Sequence, residues 1–383
     1  MPFPHRAATV ALLAGAALGV CSGAALAQSA TEQLLHSFGG PGDGASPSAE
    51  LTDASGTLYG VTIGGPAKPN DGTLFNLSPD GSEDVSNKFT GQKGSGPNSG
   101  LLDVNGALFG NTVGGGSYGD GTVYERLTSG KIKVLHNFAG SPSDGNYPTA
   151  ALIEVNGVFY GTTQSGGEYN KGTVYSVTAN GDETILHSFG SGADGSDPTY
   201  DGLVDLGGLL YGTTSYGGAT GAGTVYTITL SGTESVLYSF GAVAGDGLAP
   251  YGTLIAYKGV LYGTTVDGGA FDDYGTAYKI TPSGNETVIH SFGQGEDGKS
   301  PEGSLLNVNG TFYGTAQTGG ANGDGVVYQM SPSGSESVLY GFKGGRTDGY
   351  YPIAGLVQLE GSLYGTTTFG GTYNKGTAFS VTP

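Results

Sequence analysis

Eight side chains of this sequence are suited to hold an anionic, ring-shaped ligand. Lys343, Arg346, Tyr350 and Tyr351 lie in one stretch, KGGRTDGYY, Tyr373 and Lys375 follow in TYNKG, and Lys68 and Lys93 stand far upstream. An Arg guanidinium can give a carboxylate two parallel hydrogen bonds, and a tyrosine ring offers a sugar an apolar face with a polar edge. An acidic glycan is the ligand such a set would take. The set stands out against its background, because 14 Lys and Arg face 33 Asp and Glu in 383 residues, a formal net charge of −19 at pH 7. A surface of that charge repels nucleic acid and anionic membranes within the screening length, so neither is expected as a partner.

Other polar residues recur in register. His36, His136, His187 and His290 each stand two residues before a Phe, and Tyr238 and Tyr340 hold the same place before Phe240 and Phe342. A position shared by His and Tyr reads as a structural slot with a hydrogen bond, with a general base as the alternative. Asp43, Asp144, Asp194, Asp246, Asp297 and Asp348 are each followed by Gly and then by Pro in the pattern DGxxP. This reads as a turn in which Asp bonds its own backbone, Gly takes a positive φ and Pro fixes its own φ. An acidic ring or repeated cation sites is the alternative. Calcium needs several oxygens close together in each copy, and of these loops only Glu296-Asp297 puts two carboxylates side by side. No zinc-ligand spacing, serine nucleophile motif or phosphate loop is present. No catalytic residue, metal or cofactor is assigned.

The elements that must position these residues come from a repeat. The aromatic of an LYG-type triplet falls at Tyr59, Phe109, Tyr160, Tyr211, Tyr262, Tyr313 and Tyr364, at intervals of 50 and then 51. A period of this size signals one supersecondary unit that buries its core only against its neighbours. Each unit holds four short runs of β-branched and aromatic residues between turn residues, which are strands. Four antiparallel strands in such a unit are a propeller blade. With strands named a to d from the inside outward, Asn-Gly marks the a–b turns at Asn105-Gly106, Asn156-Gly157 and Asn309-Gly310. A strand d at Leu34 to Phe38 has no a–c before it, and a strand c at Gly376 to Val381 has no d after it. The expected fold is therefore all-β, a seven-bladed propeller closed by the N-terminal strand completing blade 7. The long d–a and b–c loops share one face, where binding groups concentrate. Closure would gather Lys343, Arg346, Lys68, Lys375 and Lys93 into one sector of that face.

Residues 1–27 read as a secretory signal peptide, with His5 and Arg6, an apolar run from Ala7 to Val20 and the small-x-small site Ala25-Leu26-Ala27. The run is too short to span a bilayer. Leu18-Gly19-Val20-Cys21 also resembles a lipoprotein box, with Val20 where a small residue is wanted. Cleavage removes Cys21, the only cysteine, and leaves residues 28–383 as the propeller. A secreted or periplasmic monomer, not inserted in the membrane after cleavage, is expected.

The diglycine followed by Tyr eight positions later, at Gly167 to Tyr175, Gly218 to Tyr226 and Gly320 to Tyr328, resembles the kelch repeat, although the kelch Trp is missing throughout. The whole unit, with its hxSF strand end, DGxxP, LYGTT, GG and GTVY, is similar to the GloVer (Gloeo_Verruco) tandem repeat of exported bacterial proteins. That resemblance implies a propeller-like secreted or surface protein without an assigned activity. Such proteins often carry a C-terminal anchor. This chain stops at Pro383 directly after strand c, so release into periplasm or medium is expected. The leading functional reading is a non-enzymatic binding propeller for a glycan or cell-surface polymer, with Tyr118, Tyr169, Tyr216 and Tyr251 as further rings on the loop face. The lack of Trp counts against it. A polysaccharide-active enzyme and a structural envelope protein are the alternatives.

Overall fold

Gly turns at close intervals leave no room for a helix, and strands are the only regular structure among the described residues. The computed structural model describes residues 30–383 apart from positions 67, 69, 70, 192, 199 and 201. The expected signal peptide lies outside the described residues. In blade 3 the strands run Ile153–Val155, Val158–Thr163, Thr173–Thr178 and Glu183–Ser188, paired antiparallel in that order. Six further sheets repeat the plan. Blade 7 takes Val357–Leu359, Ser362–Thr367 and Thr377–Thr382 from the C-terminus and Thr31–Ser37 from the N-terminus. Thr31 pairs with Thr382 and Ser37 with Thr377, so the ring closes as the strand count requires.

The LYG triplet has a packing reason. A Cβ on its glycine would lie 2.4 Å from the Phe75 ring in blade 1 and 2.6 Å from the Tyr175 hydroxyl in blade 3. The aromatic of strand c lies across the glycine beside it. That ring meets the strand-end Phe of the preceding blade, with centroids 4.9 Å apart for Phe38–Phe75 and 5.1 Å for Phe138–Tyr175. The contact recurs at all seven junctions. The Phe stands one residue beyond the end of strand d, and a bulge in that strand, between Leu34 and His36 in blade 7, precedes it. Bulges re-aim side chains, and the pattern of apolar residues did not reveal this one.

The a–b turns take left-handed conformations at both central residues, as at Asn105 (φ 55) and Gly106 (φ 83). Blade 7 makes the same turn with Glu360 at φ 51 before Gly361. Asn adopts this region at less cost than Glu. Glu360→Asn is expected to raise stability by about 0.5–1 kcal/mol, seen as a higher Tm.

Candidate functional site

The first site to build is the one the repeated polar residues form. His36 Nε2 lies 3.0 Å from Asp43 Oδ2, and His136, His187 and His290 approach Asp144, Asp194 and Asp297 at 3.1, 2.9 and 2.9 Å. In the two remaining DGxxP loops the hydroxyls of Tyr238 and Tyr340 donate to Asp246 and Asp348 at 2.8 Å. The slot is thus a hydrogen-bonded one. The other Asp oxygen accepts the N–H of the following Gly, at 2.6 Å in Asp43. That Gly is not left-handed, contrary to the expectation from the turn motif. It is required because a Cβ at Gly44 would lie 2.1 Å from Thr62 Oγ1. The positive φ falls instead on the residue before Pro, such as Ser46 (56°) and Tyr351 (59°).

A third partner comes from the next blade. The first residue of each following strand d is a glutamate, giving His36–Asp43–Glu83, His136–Asp144–Glu183, His187–Asp194–Glu234 and His290–Asp297–Glu336, each with ligand atoms within 4.8 Å of one another. Glu286 and Glu32 stand beside Tyr238–Asp246 and Tyr340–Asp348. Three groups of this kind could ligate a metal. The exchange of His for Tyr with Asp and Glu retained favours an inter-blade clasp, because a neutral phenol keeps the hydrogen bond but is a poor ligand for divalent metals. Burial pushes Glu83 up to about 7, with the Asp43 charge adding to the rise and His36 opposing it. At the seventh junction all three positions change together. Asn87 replaces His, the loop carries Lys93 and no Asp, and Ile132 stands in place of Glu. There Arg126 Nε donates to Asn87 Oδ1 at 3.1 Å, and its guanidinium lies 5.3 Å from the centre of the Tyr59 ring. This substitution accounts for one of the two arginines beyond residue 6.

Seven of the eight candidate binding residues fall around the junctions that flank blade 7, and Lys93 lies in the loop between blades 1 and 2. Arg346, Tyr350 and Tyr373 line one groove between blades 6 and 7, and Lys68 and Lys375 line another between blades 7 and 1. The loop 371–375 separates the two. Tyr350 pairs with Phe369 across a two-residue ladder and stacks on its ring at 5.4 Å and 23°. Tyr351 stands edge-on to both rings. The Tyr350 hydroxyl donates to Asn374 Oδ1 at 3.1 Å, which fixes the shelf. Phe369 is 39% and Tyr373 50% exposed, so the rings face solvent. No carboxylate lies within ion-pair distance of Arg346 among the described residues. Lys343 lies close enough to Glu32 for its charge to oppose the rise of that carboxyl, and its backbone N–H donates to Asp348. Lys93 sits in the hairpin around Gly91 and Gly94 and lines neither groove. Phe369 was missed in the sequence. Its signal was an apolar residue where the equivalent positions are Ser165, Tyr216, Asp267 and Thr318.

The groove between blades 2 and 3 is a natural control. It repeats Tyr147 and Tyr169, but Pro142, Asn146 and Ser165 replace Arg346, Tyr350 and Phe369. Tyr251 lies at the mouth of the central channel.

A family model described as the Gloeobacter/Verrucomicrobia repeat matches residues 19–221 and 198–383. No curated protein matches the sequence. Among solved structures, two of puromycin hydrolase, one of them a mutant complexed with PGG, superpose with TM-scores of 0.52 and 0.51 at 13% identity. The match covers 85% of this chain and 50% of theirs, so this chain spans about half the length of that hydrolase. The structure of YjhT superposes with a TM-score of 0.44 at 11% identity over 80% of this chain and 99% of that one. At such identities the likeness is one of fold.

Proposed function

The chain belongs to the Gloeobacter/Verrucomicrobia repeat family, and on that premise we propose that it is an exported, non-catalytic binding propeller whose groove between blades 6 and 7 takes an acidic polysaccharide. The observation that carries this reading is the exposed shelf of Tyr350, Tyr351, Phe369 and Tyr373 beside an Arg346 that has no carboxylate partner among the described residues. A uronate carboxylate would take the guanidinium fork, and the sugar face would lie on the rings. Lys68 and Lys375 extend the basic track to the next groove, so a polymer could meet both. Several weak contacts along one chain raise the overall affinity. The histidines are held in the clasps and the Tyr350 hydroxyl donates to Asn374 Oδ1, which favours binding over lysis. Residues 1–27 would direct the protein out of the cytoplasm, and the net charge of −19 disfavours nucleic acid and anionic membrane as partners.

Retention of the purified protein on polygalacturonate and on a neutral dextran tests this. Binding to polygalacturonate alone is expected, weakening as salt rises. Replacing Lys343 and Arg346 together by Ala should reduce it at least tenfold at an unchanged Tm. Release of unsaturated sugars would replace the reading by an enzymatic one. Undiminished binding by the double variant would move the site to the seven repeated loops.

A further inference from the structure

Seven loops, six of them of the DGxxP type, feed into strand a, and the residues just after each proline surround the axis. The mouth of the channel is built from these segments of all seven blades and encloses about 110 Å³. The fold requires little of these positions. The residue before the Leu that recurs in every blade is Gly100, Ala151, Gly202, Thr253, Ser304 or Gly355 in six blades, small or hydroxylated. In blade 1 it is Glu50.

Glu50 makes no hydrogen bond or ion pair with any described residue, and its carboxylate faces the channel where the polar mouth meets the lower part. Room for it comes from blade 7, since a Cβ at Gly355 would lie 2.8 Å from Glu50 Oε2. Burial alone pushes Glu50 up to about 7. A second carboxylate, Glu302, stands at the mouth, but its Oε1 accepts a hydrogen bond of 2.6 Å from Gln317. Across the mouth Tyr200 and Tyr251 pair with ring centroids 5.2 Å apart. The Tyr200 hydroxyl accepts from Asn98 Nδ2 of blade 2 at 3.2 Å, so this side chain reaches over blade 3. Below Glu50 the walls turn apolar, with Leu102, Ile153, Ile255 and Leu306.

We propose that the channel mouth is a second binding site, for an organic ammonium ion, with the nitrogen against Glu50 and the hydrocarbon body between the Tyr200–Tyr251 pair and the apolar wall. A buried carboxylate without a partner is costly, and a cation removes that cost. Tyrosine faces attract cations, and aliphatic walls suit an alkyl group and not a hydrated metal ion. A divalent ion would want six or more oxygens at once. Here Ser304 Oγ is already engaged by the Thr253 N–H and Ser99 Oγ by the Asn111 N–H. The site is separate from the basic groove and opposite in charge preference.

Calorimetric titration of the full-length mature protein with n-butylammonium, n-butanol and Ca²⁺ tests the proposal. One equivalent of n-butylammonium should bind, and n-butanol should not. Glu50→Gln, which keeps the side-chain volume, should weaken binding at least tenfold, and Tyr251→Leu severalfold. Both should melt as cooperatively as the wild type, and the Lys343/Arg346 double variant should bind the amine unchanged. Failure of the wild type to bind the amine overturns the proposal, as does equal affinity in Glu50→Gln. If Glu50→Gln does not fold, an undiminished affinity in Tyr251→Leu overturns it in the same way. Ca²⁺ binding that outcompetes the amine and depends on Glu50 would make this an inorganic cation site instead.

Discussion

Deleting residues 28–39 is expected to cost the propeller more than any single substitution. The deletion removes the strand that pairs with Thr377–Thr382 and exposes that edge, which invites association between chains. It also removes Phe38, which is 0% exposed and packs on Phe75, and His36, which holds Asp43. Loss of a buried Phe side chain alone costs about 3–5 kcal/mol. The truncated protein should therefore melt many degrees lower and elute partly as aggregates. Phe38→Ala should retain the strand and lose only the packing part. Removal of residues 28 and 29 should be silent. Equal melting of both truncations and the full chain would mean that the closing strand carries no stability.

Stability should fall as pH rises from about 4.5 to above 7, the reverse of ordinary acid denaturation. Burial, the largest cause in each case, raises Glu32, Glu83, Glu183, Glu234, Glu286 and Glu336 to about 7, with the clasp Asp adding to the rise. One oxygen of each is buried without a hydrogen-bond partner among the described residues. The sign follows from linkage. Below about pH 4.5 these groups are neutral in both the folded and the unfolded chain and cost nothing. Between about 4.5 and 7 the unfolded chain ionises first, and above 7 the folded state carries buried charge. These carboxyls are partly buried, and solvent screening leaves each with about 0.5 kcal/mol. Six together reach roughly 3 kcal/mol, or several degrees of Tm for a chain of this size. Melting curves from pH 4.5 to 8.5 would show the slope, and Glu286→Gln combined with Glu336→Gln should reduce it by about a third. A flat profile would mean that the clasps stay hydrated and take no part in stability.

The two arms of the site differ in how far the sequence exposes them. The LYG period and the unmatched strands at Leu34 and Phe379 are local patterns, and counting them is enough to close the ring. The His/Tyr slot and DGxxP are likewise local. Their third partner, such as Glu83 for Asp43, lies on the next blade, and its recurrence 39 or 40 residues after five of the six Asp does not by itself say that the two side chains meet. The joint change at Asn87, Lys93 and Ile132 was visible in the letters but had no meaning until the clasp was seen. The role of glycine in DGxxP was misread for a related reason. Backbone preference suggested a positive φ, whereas the constraint is a threonine hydroxyl from a different part of the blade.

The sequence by itself determined a closed, seven-bladed, acidic propeller with a cluster of cations near its closure. A repeat states its own topology, and hydrophobic spacing depends only on neighbours along the chain. Only the tertiary structure decided which of those cations share a groove, that Phe369 completes an aromatic shelf with Tyr350, and that Glu50 stands unpartnered at the axis. Each depends on residues from separate loops or blades, whose contact in space cannot be read from their separation along the chain.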